Sequence, residues 1–425
     1  MRGSAHILIL TLFLFSFGVN AAELNTQCTK DPLTGEVKGL NSNQSFTIAS
    51  VTKVFTTHWA VTNLTGNYRY LTMVHITPLG SNQFDVHLQG DLFPYFDRTM
   101  FQFLVGELNK LGIKNIHYMT YDENLLYASA MRTNSMLAHS NFDLTTEQIM
   151  TDFRQDTKTI NTNLTALNAK AMALENLVLP KTLTLTIKDI HYLAKDDFRP
   201  SAQTKTYGFL SAQMYRVLKE MNRNSHNFAA VSIFKKLLQH ESYEDFLSNK
   251  LPEIPSEEAS IFNGSGYPLM IDGQKTYNSA SCRAVVEVMA DLREELLQQQ
   301  MEFKDIMPVA GKDSSADGIS TVTQIYGADQ TNGALIAKTG SVNDTVALAG
   351  MISTENENTF FHTSFSTEQT PVDRKKAYDK IKNWIIARIG NNKKSNLDKY
   401  TPKTFMPFDR KSTLVPLNNS RLKKP

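Results

Sequence analysis

Three short motifs, far apart in the chain, constrain its folding more than any other feature. Ala49-Ser50-Val51-Thr52-Lys53 runs into the apolar stretch Val54 to Val61; Ser225-His226-Asn227 precedes a second apolar stretch; and Lys338-Thr339-Gly340 ends a run of small and branched apolar residues. If Ser50 opens a helix, i, i+3 spacing sets the Lys53 amine beside the Ser50 hydroxyl, one turn away. A serine hydroxyl is a weak nucleophile until a base takes its proton. A lysine serves as that base only where burial or a neighbouring cation lowers its pKa. The chain must therefore bring a second polar pair, Ser225 and Asn227, and a second lysine, Lys338, to the first.

Local patterning gives each motif a setting. Phe228, Val231, Phe234 and Leu238 recur at helical spacing, so Ser225-His226-Asn227 is predicted as a turn before a buried helix. Ala334 to Gly340 reads as a strand, with Thr345 to Ile352 and Asn358 to Phe365 as further strands and Val372 to Ile389 as an amphipathic helix. A helix is also predicted from Ser279 to about Leu297. Between the first two motifs, Tyr70 to Ile76 and Gln83 to Gly90 form an expected hairpin through Pro78 to Asn82. A helix over Met100 to Leu111 and a strand over Ile113 to Met119 follow. Thr145 to about Asn176 reads as helical. Leu177 to Leu179, Leu183 to Ile187 and Ile190 to Leu193 read as strands.

The expected organisation is thus an export signal over 1–21, a catalytic domain over 22–67 and 201–390, an inserted α/β domain over 68–200 and a basic tail over 391–425. Met1-Arg2-Gly3, an apolar core from Ile7 to Phe17 and the small residues before Ala22 carry the signal reading; an uncleaved N-terminal anchor is the alternative. The tail has nine Lys or Arg against two Asp and reads as a solvated extension. Cys28 and Cys282 either pair in an oxidising compartment or remain one buried and one exposed thiol. Net charge is +2, too small to favour nucleic acid. No His-Glu-x-x-His or Cys-x-x-Cys occurs, so neither a metal nor another cofactor is expected.

Ser-x-x-Lys, Ser-x-Asn and Lys-Thr-Gly, in this order, are the signature set of penicillin-interacting serine enzymes. With Val86 to Asp91, Asn263-Gly264-Ser265-Gly266 and Pro308-Val309-Ala310-Gly311, the chain resembles the class C low-molecular-mass penicillin-binding proteins, the D-alanyl-D-alanine carboxypeptidase/endopeptidase family that includes penicillin-binding protein 4. The resemblance implies a mixed α/β fold: a transpeptidase/β-lactamase-like domain with an antiparallel sheet flanked by helices, interrupted by an inserted α/β domain. It implies peptidoglycan peptides as substrates, β-lactams as inhibitors and a periplasmic or secreted location.

It also implies roles. Ser50 is the nucleophile and Lys53 its base; Ser225 relays a proton to the leaving amine, with Lys338 holding Ser225. Asn227 binds the substrate backbone. Lys338 and Thr339 hold the terminal carboxylate, with Gly340 and Ser341 completing that strand edge. The backbone N–H groups of Ser50 and Ser341 form the oxyanion hole. His226 reads as a spacer and Ser265 as a turn residue. Four departures from the family pattern stand out: Tyr267-Pro268 after Ser-Gly, Ser341 after Lys-Thr-Gly, His226 in the second motif, and a shorter stretch between Ser50 and Ser225. A β-lactamase and a weakened binding protein are the competing readings.

Overall fold

The computed structural model describes residues 23–31, 33–129, 145–315, 318–355, 357–367, 370–390, 397 and 399–417. The expected export signal lies outside these residues, as does part of the expected tail. Among the described residues no helix is long and apolar enough to cross a membrane.

Thr52–Leu64 is buried on every side over its first ten residues. A helix without a solvent face needs cover all round, and two layers supply it. On one side lies helix Cys282–Gln298, itself packed on a five-stranded antiparallel sheet in the order Leu335–Val342, Thr345–Thr354, Glu357–Ser366, Glu23–Lys30 and Val37–Leu40. On the other, Trp59 meets the rings of Phe234, Tyr243 and Phe246. Thr345–Thr354 is buried at every position, because helix Pro371–Ile389 covers the far face with Ala377, Ile381, Ile385 and Ile389. Cys28, on Glu23–Lys30, is disulfide-bonded to Cys282 at the start of helix Cys282–Gln298.

The second sheet is six-stranded, in the order Val415–Pro416, Lys205–Leu210, Leu71–Gly80, Gln83–Gln89, Asn115–Tyr121 and Thr186–Tyr192. The hairpin turns at Gly80-Ser81-Asn82, three consecutive positive-φ residues. The last two strand pairings are parallel, which requires a crossover. Helix Arg98–Lys110, capped by Asp97 through the Met100 N–H at 3.0 Å, supplies the first. This sheet takes in Lys205–Leu210 and Val415–Pro416, which lie beyond the 68–200 segment expected to form it.

Several expectations are corrected. The helical run over 145–176 is two helices, Thr146–Lys158 and Leu164–Glu175, separated where Asn163 takes positive φ. The strand-like pieces at 177–179 and 183–185 join no ladder. Side chains of Asn168, Asn161 and Asn109 accept from the N–H groups of Leu179, Leu183 and Thr184, so these backbones are satisfied without a sheet. Ser279–Ser281 is a strand rather than the first turn of the following helix, since Ser281 caps that helix by accepting from the Ala284 N–H at 3.0 Å. The tail is not a solvated extension over 399–417. Phe408 stacks on Phe103 with centroids 4.1 Å apart, and Asp409 takes two hydrogen bonds from Arg69 at 2.9 and 2.6 Å.

Candidate active site

Ser50 does not sit on the α-helix itself. It lies in a 3-10 turn, Ala49–Val51, that feeds into Thr52–Leu64. Ala49 has φ +48°, and Thr52 Oγ1 donates to its carbonyl at 2.7 Å. Two glycines permit this packing. A Cβ at Gly266, whose φ is +77°, would stand 1.9 Å from Ala49 O, and one at Gly340 would stand 2.7 Å from Ile48 O. The Lys-Thr-Gly strand therefore lies directly against the turn that carries Ser50.

Lys53 is fully buried. Its Nζ lies 3.0 Å from Ser50 Oγ, 2.7 Å from Asn227 Oδ1 and 2.8 Å from Ser265 O. None of these three partners carries a charge. Burial, followed by repulsion from Lys338, holds the Lys53 amine well below the usual lysine range, as desolvation and a like charge must. Lys338 is buried too, and burial lowers it to about 7. Its Nζ donates to Ser225 Oγ at 2.8 Å and to Thr339 O at 2.6 Å. Thr339 Oγ1 in turn lies 3.0 Å from Thr321 Oγ1.

Helix reversal brings the second motif here. Met214–Asn224 ends at Ser225, which takes φ +54°, and Asn227–Leu237 starts two residues later. His226 Nδ1 accepts from the Ala229 N–H at 3.2 Å, and burial and then the nearby Lys53 lower the imidazole to about 4. His226 is thus a neutral helix cap, in keeping with its reading as a spacer. Asn227, expected at the substrate backbone, accepts from Lys53 through its Oδ1.

The five residues form two hydrogen-bonded groups, Ser50–Lys53–Asn227 and Ser225–Lys338, near enough for the two lysines to repel, with Thr339 and Gly340 along one edge. Ser341 follows them on the strand and is exposed. Two participants were not expected. Ser265 contributes its carbonyl, aimed at Lys53 by a loop in which Asn263 Oδ1 accepts from the N–H groups of Ser265 and Gly266, both at 2.9 Å. Thr321 meets Thr339 and lines a cleft of about 740 Å³ together with His226, Tyr95 and Phe405.

The arrangement carries a pH prediction. In the expected roles, Lys53 has to be neutral to accept a proton and Lys338 charged to attract an anion. Burial and repulsion from Lys338 favour the neutral Lys53 amine, so kcat/KM should rise with pH as Lys53 loses its proton. It should then fall as Lys338 loses its own near pH 7. In kcat the falling limb should move to higher pH, since a bound carboxylate favours the charged amine. A steady-state pH series on a carboxylate-terminated peptide checks this; a kcat/KM that climbs steadily to pH 10 would contradict it.

A model of the D-Ala-D-Ala carboxypeptidase 3 (S13) family matches residues 199–386. No curated protein matches. Among solved structures, the chain is similar to the Bd3459 predatory endopeptidase from Bdellovibrio bacteriovorus, solved in complex with immunity protein Bd3460: 29% identity, TM-score 0.82, covering 93% of this chain and 100% of that one. It is also similar to the Bd0816 predatory endopeptidase of the same organism, at 27% identity, TM-score 0.81 and the same coverage. Penicillin-binding protein 4 from Haemophilus influenzae shares the fold at 15% identity and TM-score 0.55, over 85% of this chain and 97% of that one.

Proposed function

Because the chain belongs to the S13 family of carboxypeptidases and endopeptidases with the penicillin-binding-protein fold, we propose that it is a serine DD-peptidase hydrolysing D-Ala-D-Ala termini and D-Ala cross-links of peptidoglycan, with Ser50 as the acylated residue. The observation that carries the role of Ser50 is the buried Lys53 amine 3.0 Å from its hydroxyl, its pKa lowered by burial and then by Lys338. Bd3459, a peptidoglycan endopeptidase of comparable length, has been obtained acylated by penicillin G, and we extend both properties to this chain.

In this reading Lys53 takes the hydroxyl proton as Ser50 Oγ attacks the carbonyl carbon of the penultimate D-Ala. The C–N bond then breaks as Ser225 gives its proton to the departing amine and takes the one held on Lys53, which returns both residues to their starting states. An acyl-enzyme ester remains, which water hydrolyses with Lys53 again as base. Asn227 and the Ser265 carbonyl orient the Lys53 amine. Lys338 and Thr339 receive the terminal carboxylate. The N–H groups of Ser50 and Ser341 stabilise the oxyanion, a role supported by the close approach at Gly340; losing one such donor costs on the order of 100-fold in rate. The signal-like N-terminus and the Cys28–Cys282 disulfide support action outside the cytoplasm.

The test is incubation of the purified protein with a pentapeptide monomer and a cross-linked dimer from peptidoglycan, followed by chromatography and mass spectrometry. Release of D-Ala from the monomer, cleavage of the dimer, or both, is expected. Intact substrates after incubation with folded protein would overturn the proposal.

A further inference from the structure

The outer face of the second sheet carries a row of side chains unrelated to the Ser50 site. In register across four neighbouring strands stand His75, His87, Thr120 and His191. By strand alternation Asp85 and Tyr118 lie on the same face, while Val86 and Met119 point into the core. The 194–201 segment crosses this face and sets Phe198 parallel to His87, ring centroids 4.0 Å apart. Beside it opens a cleft of about 450 Å³, lined by His87, Asp85, Tyr118, His191, Asp197 and Arg199, among others. Its size lies within the range of small-ligand sites.

One atom there lacks a partner among the described residues. His87 is only 3% exposed, its Nδ1 is 2.9 Å from Thr120 Oγ1, and its Nε2 has no hydrogen-bond partner. A buried polar atom without a partner costs stability unless something meets it. Burial, then His75, lowers His87 to about 4, and burial lowers His75 as well, so both imidazoles are uncharged at neutral pH. The wall therefore offers neutral imidazoles, the carboxylates of Asp85 and Asp197, one guanidinium and a half-open tyrosine ring.

That set suits a particular chemistry. Two carboxylates against one arginine disfavour an anion, and no cluster able to hold a metal occurs among the described residues. An extended peptide gains its affinity by pairing with an open strand edge, whereas this cleft lies on the face of the sheet. A saccharide satisfies the wall: hydroxyl and acetamido groups donate to carboxylates and exchange hydrogen bonds with imidazole, and a sugar's C–H face rests on an aromatic ring. We propose that this cleft is an accessory saccharide site, holding the glycan strand of the polymer whose peptides the Ser50 site cuts. The identity of that polymer rests on the function proposed above.

The probe is a peptide-free β-1,4-linked N-acetylglucosamine tetramer, titrated calorimetrically into full-length Ser50→Ala protein. Binding is expected, weakened about tenfold or more by Tyr118→Ala and by Asp197→Asn. Both side chains are open to solvent, so neither change should unfold the sheet; in the Ser50 background both variants should acylate with penicillin at the unaltered rate. No binding by protein whose Ser50 form turns over D-Ala peptides would overturn the saccharide site and leave the peptidase reading standing. Equal binding by the variants would also overturn it, placing the sugar elsewhere. Binding lost in the variants, with no peptide turnover by the Ser50 form, would support the cleft while overturning the peptidase reading.

Discussion

Lys53→Met should lower the rate of acylation by a β-lactam by about 10³-fold, within the range attributed to a positioned general base. Methionine is unbranched and close in volume, so the helix core should close around it. It leaves Asn227 Oδ1 and Ser265 O without the amine that now bridges them at 2.7 and 2.8 Å. Each acceptor so abandoned costs about 1–3 kcal/mol, partly offset because a polar amine no longer needs to be buried. The variant should therefore fold with a modestly lowered melting temperature and almost no acylation. Stopped-flow acylation by a fluorescent penicillin, beside thermal unfolding, separates the two effects. Acylation within tenfold of the parent rate in folded protein would show that another group takes the Ser50 proton.

Opening the disulfide should have the largest effect on stability. Cys28 and Cys282 are 254 residues apart in sequence, and the loop they close contains Ser50, Ser225 and most of the second sheet. A cross-link over so long a loop removes much of the freedom of the unfolded chain, and losing a native one typically costs about 2–5 kcal/mol. Cys28 and Cys282 are 1% and 0% exposed, so the pair resists reduction until the chain opens. A protein carrying both Cys28→Ser and Cys282→Ser should unfold at distinctly lower urea concentration than the parent. It should nevertheless retain penicillin acylation at low temperature, since neither sulfur touches the site. An unchanged urea midpoint would mean that the bridge contributes nothing to the folded state's advantage.

The constellation around Ser50 was legible because its chemistry is written in three local motifs, each with a recognisable flank. The Lys53–Ser50 contact follows from spacing alone. The Lys53–Asn227 contact does not, since it needs helix Asn227–Leu237 to lie against the first turn of Thr52–Leu64, a fact of packing between residues 174 positions apart. The carbonyl of Ser265 was hidden for a different reason: a backbone acceptor has no residue identity, and only the Asn263 side chain turns it inward. Helix Met214–Asn224 shows one buried face, Met214, Val217, Leu218 and Met221, at helical spacing, but its other positions are mostly polar or charged, so that narrow face is nearly its whole apolar signal.

Elsewhere composition misled. Lysine and asparagine make the tail look solvated, yet Met406 and Phe408 are buried within it, and Asp409 meets Arg69. A few anchors at wide spacing hold a segment whose average character is polar. The branched residues of 177–179 and 183–185 favour strands, but asparagine side chains satisfied their backbones first. Strand Glu23–Lys30 lacks apolar alternation because its neighbours on both sides, Glu357–Ser366 and Val37–Leu40, hold it by backbone pairing.

Mapping the site of a penicillin adduct tests the central claim most directly. The protein would be incubated with penicillin, washed free of it, weighed intact by mass spectrometry and digested with trypsin. One adduct with the mass of intact penicillin, surviving washout and located on Ser50 within the Gly39–Lys53 peptide, is the predicted result. An adduct on any other residue, or none on protein shown to be folded, would contradict the assignment of Ser50 as the nucleophile.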